Sequence, residues 1–189
     1  MRKIISKHKE EKKRRRNQFL VGSFLIFIMI ISLLGYSFRD DEENQKIKYN
    51  GIEFIKESNL WNAEINGLKF YFTYNPNEVK ELNETLKKLN NYYNKPLYFY
   101  SNNSEAETEI YRNLFYSNQI VQRVQNACLE GEECKEDLPI KNCNDNIIII
   151  KDSDKNEVIQ EQNCIFIKGK TEDMMKLVDS FLYNIIGVQ

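Results

Sequence analysis

Histidine is nearly absent from this chain: one, His8, in 189 residues. It precedes the long apolar run described below. The part of the chain beyond that run therefore cannot build a Ser–His or Cys–His nucleophile pair, nor a His-containing zinc site. Glycine is sparse as well, with seven residues, and none falls into a phosphate-cradling loop or a dinucleotide fingerprint. Gly-x-Ser-x-Gly and His-Glu-x-x-His are missing too. Hydrolysis by carboxylates alone survives these absences. However, Glu105, Glu107, Glu109 and the acids of residues 130–137 read as solvated acidic faces. The sequence thus nominates no catalytic residue, cofactor-binding residue or metal ligand.

What the chain does have is one uncharged apolar run over residues 19–38, long enough at about 1.5 Å of rise per residue to cross a roughly 30 Å hydrocarbon layer. Residues 1–18 carry nine Lys/Arg against two acids, a net +7, and the rest of the chain sums to −8. Basic charge on one flank orients such a helix with its N-terminus in the cytoplasm. The expected organisation is a basic cytoplasmic tail (1–18), a transmembrane helix (19–38), a charged linker (39–46) and an extracytoplasmic domain (47–189). The apolar run exceeds the 7–15 residues of a signal-peptide core, which favours a retained anchor, although Gly35 and Ser37 form a passable cleavage site. A net-negative outer domain argues against nucleic acid as a partner.

Two Asn-Gly pairs punctuate the start of the outer domain. Asn50-Gly51 lies between Ile47-Lys48-Tyr49 and Ile52-Glu53-Phe54; Asn66-Gly67 separates residues 61–65 from 68–74. Asn-Gly supplies the two positive φ values of a type I′ turn, so four strands in an antiparallel meander are expected. A first helix is expected over residues 75–93, with Asn75 as cap, Pro76 at the first position, Glu78 closing a capping box, and Val79, Leu82, Leu86, Leu89 and Tyr93 on one face. Residues 97–100 read as a short aromatic strand. A second helix should start at Ser104, with Glu107 in its capping box, and carry the stripe Ile110, Leu114, Val121, Val124 and Cys128. Four isoleucines, Ile147 to Ile150, suggest a strand buried on both faces in the middle of a helix-covered sheet. Residues 158–162 and 164–167 read as strands, and a third helix runs from a Thr171 cap to about Ile186. The fold class that follows is α+β, one compact domain with a mixed sheet and three helices.

Cys128, Cys134, Cys143 and Cys164 all lie beyond the apolar run. An even number in an oxidising exterior reads as two disulfides. A hairpin of residues 147–150 and 158–162, turning at Ser153-Asp154, would bring Cys143 opposite Cys164 and leave Cys128 to Cys134 as a local staple. The other two connectivities remain open. Asp152-Ser153-Asp154-Lys155-Asn156 imitates the opening of a calcium loop. It lacks the glycine at the sixth position and has Asn163 at the twelfth, so it reads as an exposed turn.

Tyr49-Asn50-Gly51 with Phe54, Trp61, Asn75-Pro76 with Glu78-Val79, and Ala127-Cys128 resemble an uncharacterised group of archaeal single-pass, membrane-anchored proteins with a disulfide-containing outer domain. Cys134, Pro139-Ile140-Lys141 with Cys143, Asn163-Cys164, Asp179, Leu182-Tyr183 and Gly187 belong to the same likeness. The resemblance implies an archaeal envelope protein and carries over no site residue beyond the four cysteines. The expected function is an anchored domain, held to the lipid bilayer through residues 19–38, that binds a protein or an envelope component. Tyr and Phe residues near turns, such as Tyr92-Tyr93 and residues 98–100, are its candidate contacts where they are not core. The alternative is a carboxylate-dependent hydrolase acting on envelope glycans.

Overall fold

A computed structural model describes residues 7–37, 45–134 and 137–189. The chain divides into two units, Met1–Glu43 and Asn44–Gln189. In the first, helix α1 spans Lys7–Ser37. Residues 7–18 of the basic tail and the apolar run as far as Ser37 lie in this one helix. Its stretch Arg14–Ser32 is long and apolar enough to cross a bilayer by length and composition. Residues 1–6, Phe38 and most of the expected linker lie outside the described residues.

The second unit is α+β and opens with the expected meander: β1 (Lys46–Tyr49), β2 (Ile52–Glu57), β3 (Leu60–Ile65) and β4 (Leu68–Phe72), in that spatial order and antiparallel throughout. Asn50-Gly51 and Asn66-Gly67 supply positive φ in both pairs, +47° and +84°, then +54° and +77°, the combination a type I′ turn requires. A third tight turn, at Ser58-Asn59, uses Ser58 at φ +56°.

A mixed sheet follows, in the order β10-β11-β9-β5-β6, built from β5 (Pro96–Ser101), β6 (Arg123–Asn126), β9 (Ile147–Asp152), β10 (Glu157–Glu161) and β11 (Cys164–Gly169). All pairings are parallel except β10 with β11. The isoleucine strand β9 is central and buried on both faces. Ile148 and Ile150 point into the main core with Phe181 and Leu182; Ile147 and Ile149 join a smaller cluster with Tyr98 and Cys164. Among the described residues, helices cover the first face. Ala127, Leu129 and Cys143, from the disulfide-bearing segment, pack on the second. That segment contributes a two-stranded parallel pair, β7 (Cys128–Leu129) and β8 (Ile140–Lys141).

The expected hairpin between residues 147–150 and 158–162 does not form. β9 pairs in parallel with β11, Ile147 opposite Cys164, while β10 turns back onto β11 through Gln162-Asn163. The reason lies in composition. Cys-Ile-Phe-Ile is the more apolar strand and takes the inner position, whereas β10, with a glutamate at each end, takes the edge.

Three helical regions appear where helices are expected, but two are shorter. The first shrinks to a 3-10 turn, Leu89–Asn91. Its start forms all the same: the N–H of Asn75 donates to Glu78 Oε2 at 2.8 Å and that of Asn77 to Asn75 Oδ1 at 2.9 Å. Beyond it, tertiary partners take the backbone groups a helix would use. Gln189 Nε2 donates to the Pro76 carbonyl, Asn184 Nδ2 to the Glu84 carbonyl, and the Lys87 N–H donates to Gln160 Oε1. Local propensity yields to packing. Helix α2 (Ser104–Tyr111) is capped by Asn103, not Ser104, with Ala106 N–H donating to Asn103 Oδ1, and ends in a π turn, Arg112–Tyr116. The remainder of the expected stripe is spent elsewhere: Val121 in a buried loop, Val124 in β6 and Cys128 in β7.

Helix α3 (Met174–Ile186) follows a 3-10 turn at Thr171–Asp173 and is buried almost all round. The Thr171 hydroxyl donates to Asp152 Oδ1 instead of capping. Gly187, at φ +81°, closes the helix, with the Val188 N–H donating back to the Tyr183 carbonyl. Both helices lie between the two sheets. Tyr183 packs on Phe72 and Phe54 of the meander, centroids 4.2 and 5.9 Å apart, and α3 also touches β10 and β11.

Candidate functional site

The polar chemistry of the domain concentrates where β4 meets the two helices. β4 is the last strand of its sheet, so its outer N–H and C=O groups need partners. α2 and α3 supply them from side chains. Asn113 accepts from the Tyr71 N–H at 2.7 Å and donates to its carbonyl at 2.6 Å. Glu109 Oε1 accepts from the Thr73 N–H at 3.0 Å, and Asp179 Oδ2 from the Tyr74 N–H at 2.8 Å. The Tyr183 hydroxyl donates to the Tyr74 carbonyl at 2.6 Å.

This arrangement puts two carboxyls together in the core. Asp179 is wholly buried and Glu109 is 1% exposed. Burial, then the adjacent Glu109 charge, holds the Asp179 carboxyl well above the usual carboxylate range. Glu109 is also raised by burial, opposed by Arg112, whose Nη1 lies 2.8 Å from Glu109 Oε2. Asp179 Oδ1 meets no hydrogen-bond donor among the described residues, and Arg112 balances the charge of Glu109. Burial, then the Asp179 and Glu109 carboxyls, also raise the Tyr183 phenol.

Glu109 is thus not part of a solvated face. The residues that flank it behave otherwise: Glu105 is exposed and Glu107 half-buried. Within residues 130–137, Glu132 pairs with Lys151 at 2.6 Å and Glu130 accepts from Asn142; residues 135 and 136 lie outside the described residues. Two signals for the pair were present. Glu109 sits one residue before Ile110 on the buried face of α2, and Asp179 is the lone acid of the largely apolar α3.

The four cysteines form two disulfides, Cys143–Cys164 and Cys128–Cys134, with Cα atoms 4.8 and 5.8 Å apart. The first joins the entry of β9 to the start of β11, two parallel neighbours, and not the base of a hairpin. Residues 152–156 form the bridge from β9 to β10. Asn156 Nδ2 donates to Asp173 Oδ2 at 2.8 Å, and Asn156 Oδ1 accepts from the Lys170 N–H. These side chains are spent on holding the turn. Among the described residues no group of three or more His, Cys, Asp or Glu side chains is placed to hold a metal ion. Of the candidate aromatics, Tyr92, Tyr98 and Phe99 are buried, Tyr100 is half-buried, and Tyr93 is exposed.

Clefts open on the described surface of this unit. A groove of about 560 Å³ runs between residues 78–84 and the outer edge of β10. A crevice of about 390 Å³ lies at the carboxyl ends of β5 and β9, beside Tyr100, Asn102 and Asp152. Neither is lined by Glu109 or Asp179. Comparison with protein-family models, with curated proteins and with solved structures finds no match to this chain.

Proposed function

We propose that this protein is a membrane-anchored, extracytoplasmic binding domain that recognises a protein or an envelope component. One observation carries the binding reading: the two carboxyls that the fold brings together are sealed in the core, away from both clefts. Acid–base hydrolysis needs its paired acids within reach of substrate. What the clefts offer instead is mixed charge and apolar surface suited to recognition.

The anchor is supported by the side chains of α1, whose apolar residues from Phe19 to Ile31 are 44–82% exposed. A continuous apolar surface of that length calls for an apolar phase around it. Two disulfides support an oxidising compartment for the second unit. With the basic flank inward, the bilayer orders the chain as N-terminus in the cytoplasm and domain outside. The likeness in motifs to archaeal single-pass proteins favours an archaeal envelope as the setting.

A photoactivatable side chain placed at exposed Tyr93, and at Asp154 as a second position, tests the reading on intact cells. The expected result is a discrete adduct that unlabelled purified protein competes away. Absence of any adduct, together with turnover of an envelope glycan that Glu109→Gln abolishes, would contradict it and favour the hydrolase.

A further inference from the structure

β10 is an edge strand whose outer side is open. The two-residue turn at Gln162-Asn163 makes Glu161 and Cys164 its closing pair. Hydrogen bonds alternate along an antiparallel ladder, so the N–H and C=O groups of Val158 and Gln160 face away from β11. No backbone group among the described residues meets them. The irregular segment that replaces the first expected helix runs past this edge and is pinned to it at one point, Lys87 N–H to Gln160 Oε1 at 2.7 Å. Short of that point it stands off, and the gap is the larger groove, with Leu82, Ile159 and Leu177 among its lining. Five acids and three lysines line the same groove. Glu81 and Glu84, both exposed, have no ion-pair partner among the described residues.

We propose that this groove takes an extended basic peptide segment, which adds to β10 as a further strand and sets its Lys or Arg side chains against Glu81 and Glu84. The proposal rests on the binding reading above and gives its partner a chemistry. Open main-chain groups supply affinity in strand addition, and flanking side chains supply selectivity. The surplus of acids selects for a cationic partner. A second copy of this chain fits poorly: pairing β10 with itself in antiparallel register would set Glu157 against Glu161 of the other copy, and like charges directly opposite destabilise a strand pair.

The test uses the full chain in nanodiscs of neutral lipid. The probe is a fluorescent, end-blocked hexapeptide of alternating Lys and Val, with an alternately N-methylated version as control. Saturable binding is expected, with slowed hydrogen exchange at the Val158 and Gln160 amides. Glu81→Lys/Glu84→Lys, a change confined to exposed side chains, should weaken binding at least tenfold while leaving the melting temperature in place. The N-methylated peptide should bind at least tenfold more weakly. Equal binding by either variant or control would overturn the proposal. So would no binding at millimolar peptide, or peptide-independent dimerisation that protects the same amides. If the adduct on intact cells persists while the peptide fails, the partner chemistry is wrong and the binding reading stands; if both fail, the binding reading falls as well.

Discussion

The side-chain amide of Asn113 takes the place of a neighbouring strand at Tyr71, accepting from its N–H at 2.7 Å and donating to its carbonyl at 2.6 Å. The contact closes the outer edge of β4 at its middle and ties the meander to α2. Asn113 also donates to the Glu109 carbonyl one turn back, which fixes its rotamer.

Asn113→Ala should therefore cost about 2–4 kcal/mol, since it strips partners from two backbone groups in a site where Asn113 itself is fully buried. Urea unfolding of the variant measures the loss. A midpoint unchanged from the native protein would show that water or a neighbour replaces the amide.

The Glu109–Asp179 pair predicts a pH dependence of definite sign. Both carboxyls are raised in the folded protein, so the folded state binds more protons than the unfolded chain above the unfolded carboxylate pKa of about 3.9–4.3. The stabilisation is complete below that range and is lost as pH rises towards the folded values, at up to about 1.4 kcal/mol per pH unit for one proton. Asp179→Asn keeps a donor towards Glu109 and an acceptor for the Tyr74 N–H without a titrating group. Its stability should come closest to that of the native protein below about pH 4 and exceed it at pH 8. Parallel pH profiles for the two proteins would contradict a raised Asp179 carboxyl.

Removing the Cys143–Cys164 bond should destabilise the protein by about 2–4 kcal/mol, and by about 1 kcal/mol more than removing Cys128–Cys134, because it closes the longer loop. Paired Cys→Ser variants compared by denaturant midpoint check the order. Non-reducing peptide mapping checks the connectivity, and a linked peptide joining Cys164 to Cys128 or Cys134 would contradict it.

Hydrogen exchange should divide the two segments that share helical periodicity. Amides of α3 should exchange only through global opening, whereas most of residues 79–85 should exchange quickly, lacking helical bonds. Protection of residues 79–88 as one block would mean that the expected first helix forms after all.

That contrast marks where the sequence was legible. The Asn-Gly turns and the β4 register depend on neighbours in the chain, and the meander follows from them. Ile147 to Ile150 likewise announced a doubly buried strand. What the sequence hid is non-local. The capping box at Asn75 and Glu78 forms, but Gln160, Asn184 and Gln189 draw the following backbone away from a helix. The partner of β9 is decided by competition between β10 and β11 for the inner position, which no turn signal reports. The Cys143–Cys164 bond was reachable from two different registers, so its presence did not depend on the hairpin being right. Glu109 looked solvated because helical spacing does not show which acid faces a strand edge.

Impermeant thiol labelling on intact cells tests whether the apolar helix tethers a domain that faces outward. Single cysteines are placed at Ser6 and Asp154 in a background whose native cysteines are blocked. An outward-facing domain requires modification of Asp154→Cys on intact cells and of Ser6→Cys only after the membrane is opened; modification of Ser6→Cys but not Asp154→Cys on intact cells would place the domain inside.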